Sequence, residues 1–250
     1  MNWGKLKSFL IGLFLIINIF LIITMISQER KNTSIPVQTI NDTVSVLEKN
    51  DILINASIIP TDVKNMGEIT VIPITKSESF KDVTYSSDDN MFEINVNKGV
   101  FNSQDMKSVL SGLGIKNFKV SKEYSNGLGS VSQMAGGYPI FEAGVDVESD
   151  GIVSFVKGDW YELKTKAKKN SDYNNLVFLP SILINYISNK LRPIGEQTIT
   201  DINYGYYVLN NTSNAIIYTA VPCWQIEVDD AMFFYYNAIN GEYITMLSIQ

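Results

Sequence analysis

Apolar positions along the chain fall into three regimes. The first is a long run from Phe9 to Ile26, interrupted only by Gly12, Asn18 and Thr24. The second is helical spacing. Ile40, Val44 and Leu47 recur at i, i+4 and i+7 and predict a short amphipathic helix, with Asn41 or Asp42 as its cap. Met106, Val109, Leu110 and Leu113 predict another, capped by Ser103 and ended by Gly114. Leu183, Ile187 and Leu191 form one stripe of a helix over Pro180–Leu191, stopped by Pro193 and Gly195.

The third regime is alternation, the period of half-buried strands. Ile52, Ile54, Ala56 and Ile58 predict a strand that Pro60 ends, and Gly67–Ile74 and Phe92–Val100 predict two more. Further strands are expected at Phe118–Tyr124, Gly129–Ala135, Tyr138–Val147 and Ile152–Gly158. After the last helix they recur at Thr198–Leu209, Ala215–Ala220, Pro222–Val228, Met232–Asn237 and Tyr243–Ser248. Asn126-Gly127, Asp150-Gly151 and Asn240-Gly241 supply tight-turn pairs between them.

Short connections of this kind join antiparallel strands, so the expected class is α+β rather than a parallel sheet with crossover helices. Tyr138-Pro139-Ile140-Phe141 leading to Val147 matches Val221-Pro222-Cys223-Trp224 leading to Val228, which suggests a duplicated helix-plus-sheet module. The opposing reading is coincidence, since any α+β chain can show such a match. The expected organisation is a tail at 1–8, a membrane-spanning helix at 9–26 and a linker at 27–38. An N-terminal part of the outer domain follows at 39–101, then modules at 102–170 and 171–250.

Composition and charge narrow this picture. The eighteen residues of Phe9–Ile26 would span about 27 Å as a helix, close to the hydrocarbon core of a bilayer. No small-residue cleavage pair follows Thr24, so the expectation is an uncleaved anchor. Lys5 and Lys7 precede it, while Arg30 and Lys31 follow beside Glu29. This bias predicts a single-pass protein of the cell membrane, with a cytoplasmic N-terminus and an extracytoplasmic C-terminal domain. The net charge is −6 and every acidic residue follows the run, so the outer part offers no electrostatic footprint for nucleic acid. With no histidine and one cysteine, Cys223, the chain lacks Ser-His and Cys-His catalytic systems, histidine zinc sites and an internal disulfide.

The remaining candidate chemistry is thin. Asp146-x-Glu148-x-Asp150-Gly151 begins like a calcium loop, but Lys157 stands where a bidentate Glu is required, so a solvated hairpin turn is the better reading. Ser154 and Lys157 have a Ser-x-x-Lys spacing that works on a helix; on a strand the two side chains point to opposite faces. Asp229-Asp230 reads as a turn, Cys223 as a buried small hydrophobe, and Trp160 and Trp224 as core residues. No catalytic, cofactor-binding or metal-binding residues are assigned, and the expectation is a protein that is not an enzyme.

The apolar run has its own pattern. Gly4, Ser8 and Gly12 are spaced four apart and form a small-residue stripe that admits close helix–helix approach. Asn18 is a polar side chain near the middle of the run, on a different stripe. These four are the candidate partner-binding positions; a plain anchor is the alternative.

The opening Met1-Asn2-Trp3-Gly4-Lys5-Leu6-Lys7, with Phe14-Leu15-Ile16-Ile17-Asn18-Ile19-Phe20-Leu21, resembles the N-terminus of the YycI (WalI) family of Gram-positive bacteria. The helix–strand segment Val44–Ile59, the strand Pro222-Cys223-Trp224-Gln225-Ile226 and Asn240-Gly241 also look like that family. The resemblance implies a single-pass, non-enzymatic regulator of the YycFG (WalRK) two-component system, which controls cell-wall homeostasis. Its implied partners are a YycH-like regulator and a sensor histidine kinase similar to YycG (WalK), contacted largely through transmembrane helices. Two rivals stand beside it. One is a PepSY-type envelope module that holds a peptide or glycan independently of a kinase; the other is a hydrolase with two opposed carboxylates.

Overall fold

A computed structural model describes residues 7, 11–22, 35–61, 63, 66–74, 84–85, 91–164, 176–209 and 217–248. The described helical stretch α1 covers residues 11–22, exposed throughout. Among the described residues no helix is long and apolar enough to cross a membrane. This overturns the expected spanning helix over 9–26, and with it the predicted single-pass topology; the outer parts of that run lie outside the described residues. The α+β class holds.

Helix α2 covers Val37–Glu48 and begins earlier than expected, directly after Pro36. Proline has a fixed φ and no N–H to satisfy, so it starts a helix without a side-chain cap. Asn41 and Asp42, the expected caps, lie inside the helix, where Gln38 Nε2 donates to Asp42 Oδ1 at 2.8 Å. Strand β1 is only Ile52–Ile54. Asn55 Oδ1 then accepts from Ser57 N at 3.0 Å and draws Ala56–Ile58 into a 3₁₀ turn, ending the alternation before Ile58. Strands β2 (Ile69–Pro73), β3 (Thr84–Tyr85) and β4 (Phe92–Val96) follow.

Helix α3 is Ser103–Gly112. Asn102 rather than Ser103 caps it, accepting from Gln104 N and Asp105 N at 2.9 and 3.0 Å. Gly114, at φ 82°, follows its end as expected. The first meander then runs through β5 (Phe118–Ser125), β6 (Leu128–Ala135), β7 (Tyr138–Ser149) and β8 (Ser154–Asp159), with β9 (Tyr161–Leu163) just beyond. Helix α4 (Leu179–Ile187) opens the second meander, β10 (Gln197–Leu209), β11 (Tyr218–Val228), β12 (Met232–Asn237) and β13 (Tyr243–Ser248).

Two of the expected strands are one. Strand β11 passes through Pro222, whose carbonyl accepts from Ala238 N at 2.9 Å. A strand residue's N and O point to the same side. On that side β2 pairs only Tyr218–Ala220 and β12 only Cys223–Val228, so the missing N–H falls in the gap between neighbours.

Each module is therefore a helix followed by a four-stranded meander, but Pro139 opens the third strand of the first and Pro222 lies inside the second strand of the other. The two prolines are not equivalent, and the correspondence on which the duplication was based fails.

Helix α3 covers one face of the first sheet through Met106, Val109 and Leu110, against Val131, Val145, Val147 and Val156. Helices α2 and α4 cover the second sheet, where Leu47, Ile182, Leu183 and Tyr186 meet Trp224, Ile226 and Phe234. The modules are joined twice. Strand β7 pairs in parallel with β10 at Ile140↔Tyr206, and β2 bridges β9 and β11. The strands thus close a circuit, β7–β8/β9–β2–β11–β10, around Ile69, Val71, Ile140, Tyr206 and Ala220.

Candidate functional site

The first sheet turns one face to α3; its other face is uncovered and borders a cleft. Cross-strand pairing sets Ser130 beside Asp146 and Asp146 beside Lys157, while Ser132 pairs with Gly144. These outward positions follow from alternation, since Val131, Val145, Val147 and Val156 between them point into the core. Where the uncovered faces of both sheets meet, they enclose a cleft of about 830 Å³ lined also by Lys119, Glu142, Asn203 and Gln225.

A close approach and a bulge build the junction. A Cβ on Gly205 would stand 2.5 Å from Pro139 O and 2.9 Å from the Phe141 ring, so only glycine lets β10 come this near β7. In β7 the pairing with β6 jumps from Pro139↔Met134 to Gly144↔Ser132, and the residues between bulge away from the first sheet. Glu142 sits in that bulge at φ 64°, an uncommon conformation for a residue with a side chain, costing about 1–3 kcal/mol.

Glu142 lies beside the second sheet. Asn203 Nδ2 donates to Gln225 Oε1 at 3.2 Å, and Gln225 Nε2 donates to the Tyr235 hydroxyl at 2.9 Å. That hydroxyl stands near enough to the Glu142 carboxyl to draw its pKa down. The residue as a whole is exposed, but its carboxyl lies against the wall of the cleft. Loss of solvent there pushes its pKa up, the nearby Tyr235 hydroxyl draws it partly back, and Asp159 adds to the rise. Glu142 was not singled out from the sequence. Its one local signal is the adjacent apolar pair Ile140-Phe141, which breaks the alternation of β7.

The sequence motifs lie where their structural readings place them. Asp150 Oδ1 accepts from Ile152 N and Val153 N, both at 2.8 Å, which holds its pKa low and closes the hairpin. Glu148 pairs with Lys157 at 2.5 Å, and that bond holds the lysine pKa up. Ser154 is buried and donates to Lys98 O at 2.6 Å, while Lys157 faces the cleft, so the two do not meet. Asp229 and Asp230, both at φ 53°, form a turn, and Asp229 Oδ1 accepts from Thr198 N at 2.8 Å. Cys223 is fully buried and its thiol pKa is pushed up; Trp160 and Trp224 are core residues. Among the described residues no cluster of three or more His, Cys, Asp or Glu could hold a metal ion.

Of the four partner-binding candidates, Gly4 and Ser8 lie outside the described residues. Gly12 has open space where a Cβ would stand, and Asn18 turns its amide back to donate to Phe14 O at 2.8 Å. Neither belongs to the cleft.

No family model matches the chain, and no curated protein does. Among solved structures it is similar to an uncharacterized protein from Eubacterium rectale ATCC 33656, with a TM-score of 0.40 and 10% identity, over 80% of this chain and 90% of that one.

Proposed function

We propose that this chain is a non-enzymatic regulatory protein of a two-component system. It recognises its partners through the folded two-sheet domain rather than through a membrane helix. The expected partners are a sensor histidine kinase of the YycG (WalK) type and a YycH-like regulator, as the family resemblance implies. Of the segments that carry that resemblance, Val44–Ile59 and Pro222–Ile226 build the helix-backed second sheet. The observation that carries the reading is the cleft between the two uncovered sheet faces. Its groups are engaged with one another, Ser121 Oγ with Ser130 Oγ at 3.0 Å and Lys157 with Glu148, an arrangement suited to holding a surface rather than activating a nucleophile.

Affinity capture with the full-length chain in mild detergent, followed by mass spectrometry, tests it. The kinase and the YycH-like protein should co-purify, and Ser132→Arg, which fills the cleft from its uncovered face, should release at least one of them. Recovery of neither sinks the proposal. A PepSY-type module that binds a peptide or glycan without a kinase uses the same cleft. It gains if ligand binding is found and kinase capture is not.

A further inference from the structure

We infer that the free edge of β13 is a dimerisation surface, on which two copies of this chain pair their β13 strands antiparallel about a two-fold axis at Met246. The inference is independent of the cleft, because β13 ends the second sheet three strands away from β10.

Among the described residues β13 pairs with β12 alone. The register shows which of its backbone groups that pairing uses. Ala238 N donates to Pro222 O, so these two residues turn their backbone groups toward each other. By alternation Trp224 and Tyr236 do the same, and then Ile226 and Phe234. Phe233 and Tyr235 therefore turn theirs the other way, to Leu247 and Thr245 of β13. Met246 lies between those two and Ser248 follows them, so the N–H and C=O of both point away from the sheet.

This edge is unguarded. Strand β5 also pairs on one side only, but it carries Lys119, Lys122 and Glu123 and two register shifts. Strand β3 is only two residues long. Charge, irregularity and shortness are the usual defences of an open edge. Tyr243-Ile244-Thr245-Met246-Leu247-Ser248 has neither charge nor proline, and its one register shift falls at its start. Its apolar side chains are incompletely covered. Tyr243 and Leu247 each leave 37% of their surface exposed, and Ile244 and Met246 are half-buried.

Symmetry selects a second copy as the occupant. A lone foreign strand added here would satisfy β13 and leave its own outer edge open. Two β13 strands paired with each other remove both edges in one closed contact. Centred on Met246, the pair sets each Met246 N–H against the C=O of the other Met246, and sets Thr245 opposite the second copy's Leu247. Alternation keeps Thr245 and Leu247 on one face and Met246 on the other, so the two-fold brings like faces together. No charge meets a like charge across the pair.

Sedimentation equilibrium of the full-length protein in mild detergent, over a range of concentrations, tests the assignment. A monomer–dimer equilibrium is expected. Met246→Pro removes an N–H that β12 does not use, so the fold should survive. Both central hydrogen bonds of the pair are lost, and association should weaken about tenfold or more. Met246→Lys sets two ammonium groups opposite each other and should also dissociate the dimer. It decides the matter if Met246→Pro lowers the melting temperature. The register is read by oxidation. Met246→Cys should link two chains, because paired residues stand about 5.5 Å apart at Cα. Ser248→Cys should not, since its two thiols would be four residues out of register, roughly 13 Å apart. The native chain is the control, as Cys223 is buried. A monomer at every concentration, a dimer that survives both Met246→Pro and Met246→Lys, or linkage through Ser248→Cys and not Met246→Cys overturns the inference.

Discussion

The two sheets are built from the same parts and differ in what they do with their two faces. The second sheet is covered by α2 and α4 and buries Tyr186, Trp224, Phe234 and Tyr236 beneath them. Its other face carries a further apolar cluster of Phe141, Cys223 and Tyr235. The first sheet is covered by α3 alone, over mostly aliphatic side chains, and its other face is polar and small. The second module packs its helix-covered face heavily and sets a small apolar cluster beside Asn203 and Gln225 on the other, whereas the first holds a polar face open. The difference teaches that the cleft is anchored on one side by a heavily packed wall and floored on the other by a sheet whose uncovered face is not needed for its core.

The comparison can be broken in order of expected effect. Trp224→Ala removes the largest buried side chain of the second core and should cost about 3–5 kcal/mol. Leu110→Ala in the first core should cost about 2–5 kcal/mol. Because the strand circuit ties the modules together, urea unfolding of either variant should remain one transition followed equally by fluorescence and far-UV dichroism. Two separated transitions would show the modules to be independent.

Gly205→Ala tests the junction. Its methyl group would press on Pro139 O and the Phe141 ring, an overpacking expected to cost about 1–3 kcal/mol. The thermal midpoint should fall, and partner binding should weaken with it, because the two faces of the cleft are set by this contact. Gln133 tests the tie between β6 and β9. Its carboxamide donates to Tyr161 O at 2.6 Å and accepts from Tyr161 N at 3.0 Å, as a neighbouring strand would. Gln133→Ala strands both groups, so about 1–3 kcal/mol should be lost, with faster amide exchange at Tyr161 as the local mark.

The smallest effect is electrostatic. Glu142 has its folded pKa raised above the ordinary 4.5. An acid shifted this way costs the fold nothing while both folded and unfolded forms are protonated. The cost appears as pH rises through the unfolded value and is complete above the folded one. Glu142→Gln keeps the backbone strain and removes the charge, so it should gain stability over the native chain at neutral pH, and the gap should close in acid. A gap independent of pH would mean that the carboxyl is not in the environment described.

Much of the secondary structure was legible because its causes are local. Asn126-Gly127, Gly114 and the periodicity of α3 act within a few residues, whereas α4 ends at Ile187 and leaves Leu191, the last member of its expected stripe, exposed outside the helix. The misreadings came from competition. Pro36 started α2 ahead of two plausible caps, and Asn55 diverted an alternating segment into a 3₁₀ turn. Pro222 looked like a strand boundary because its tolerance depends on the gap between β2 and β12, which no local pattern encodes. The cleft was illegible for the same reason. Ser130, Ser132, Asp146 and Lys157 read as an ordinary solvated face until β7 and β10 bring a second sheet beside it. The run from Phe9 is plain in the sequence because its hydrophobicity is a one-dimensional signal, whereas a binding surface is assembled from distant strands.

The strand circuit also sets an order on synthesis. A chain emerging from the ribosome exposes Ile69-Thr70-Val71-Ile72 of β2 long before β9, at Tyr161–Leu163, and β11, from Tyr218 onward, exist to receive it. Val71, fully buried in the finished protein, must wait uncovered through most of translation. A short, uncharged, β-branched segment is the type most prone to pair with the wrong chain in that interval. The nascent protein is therefore most vulnerable at the strand that finally joins its two halves, and a chaperone bound over β2 would protect it until the circuit closes.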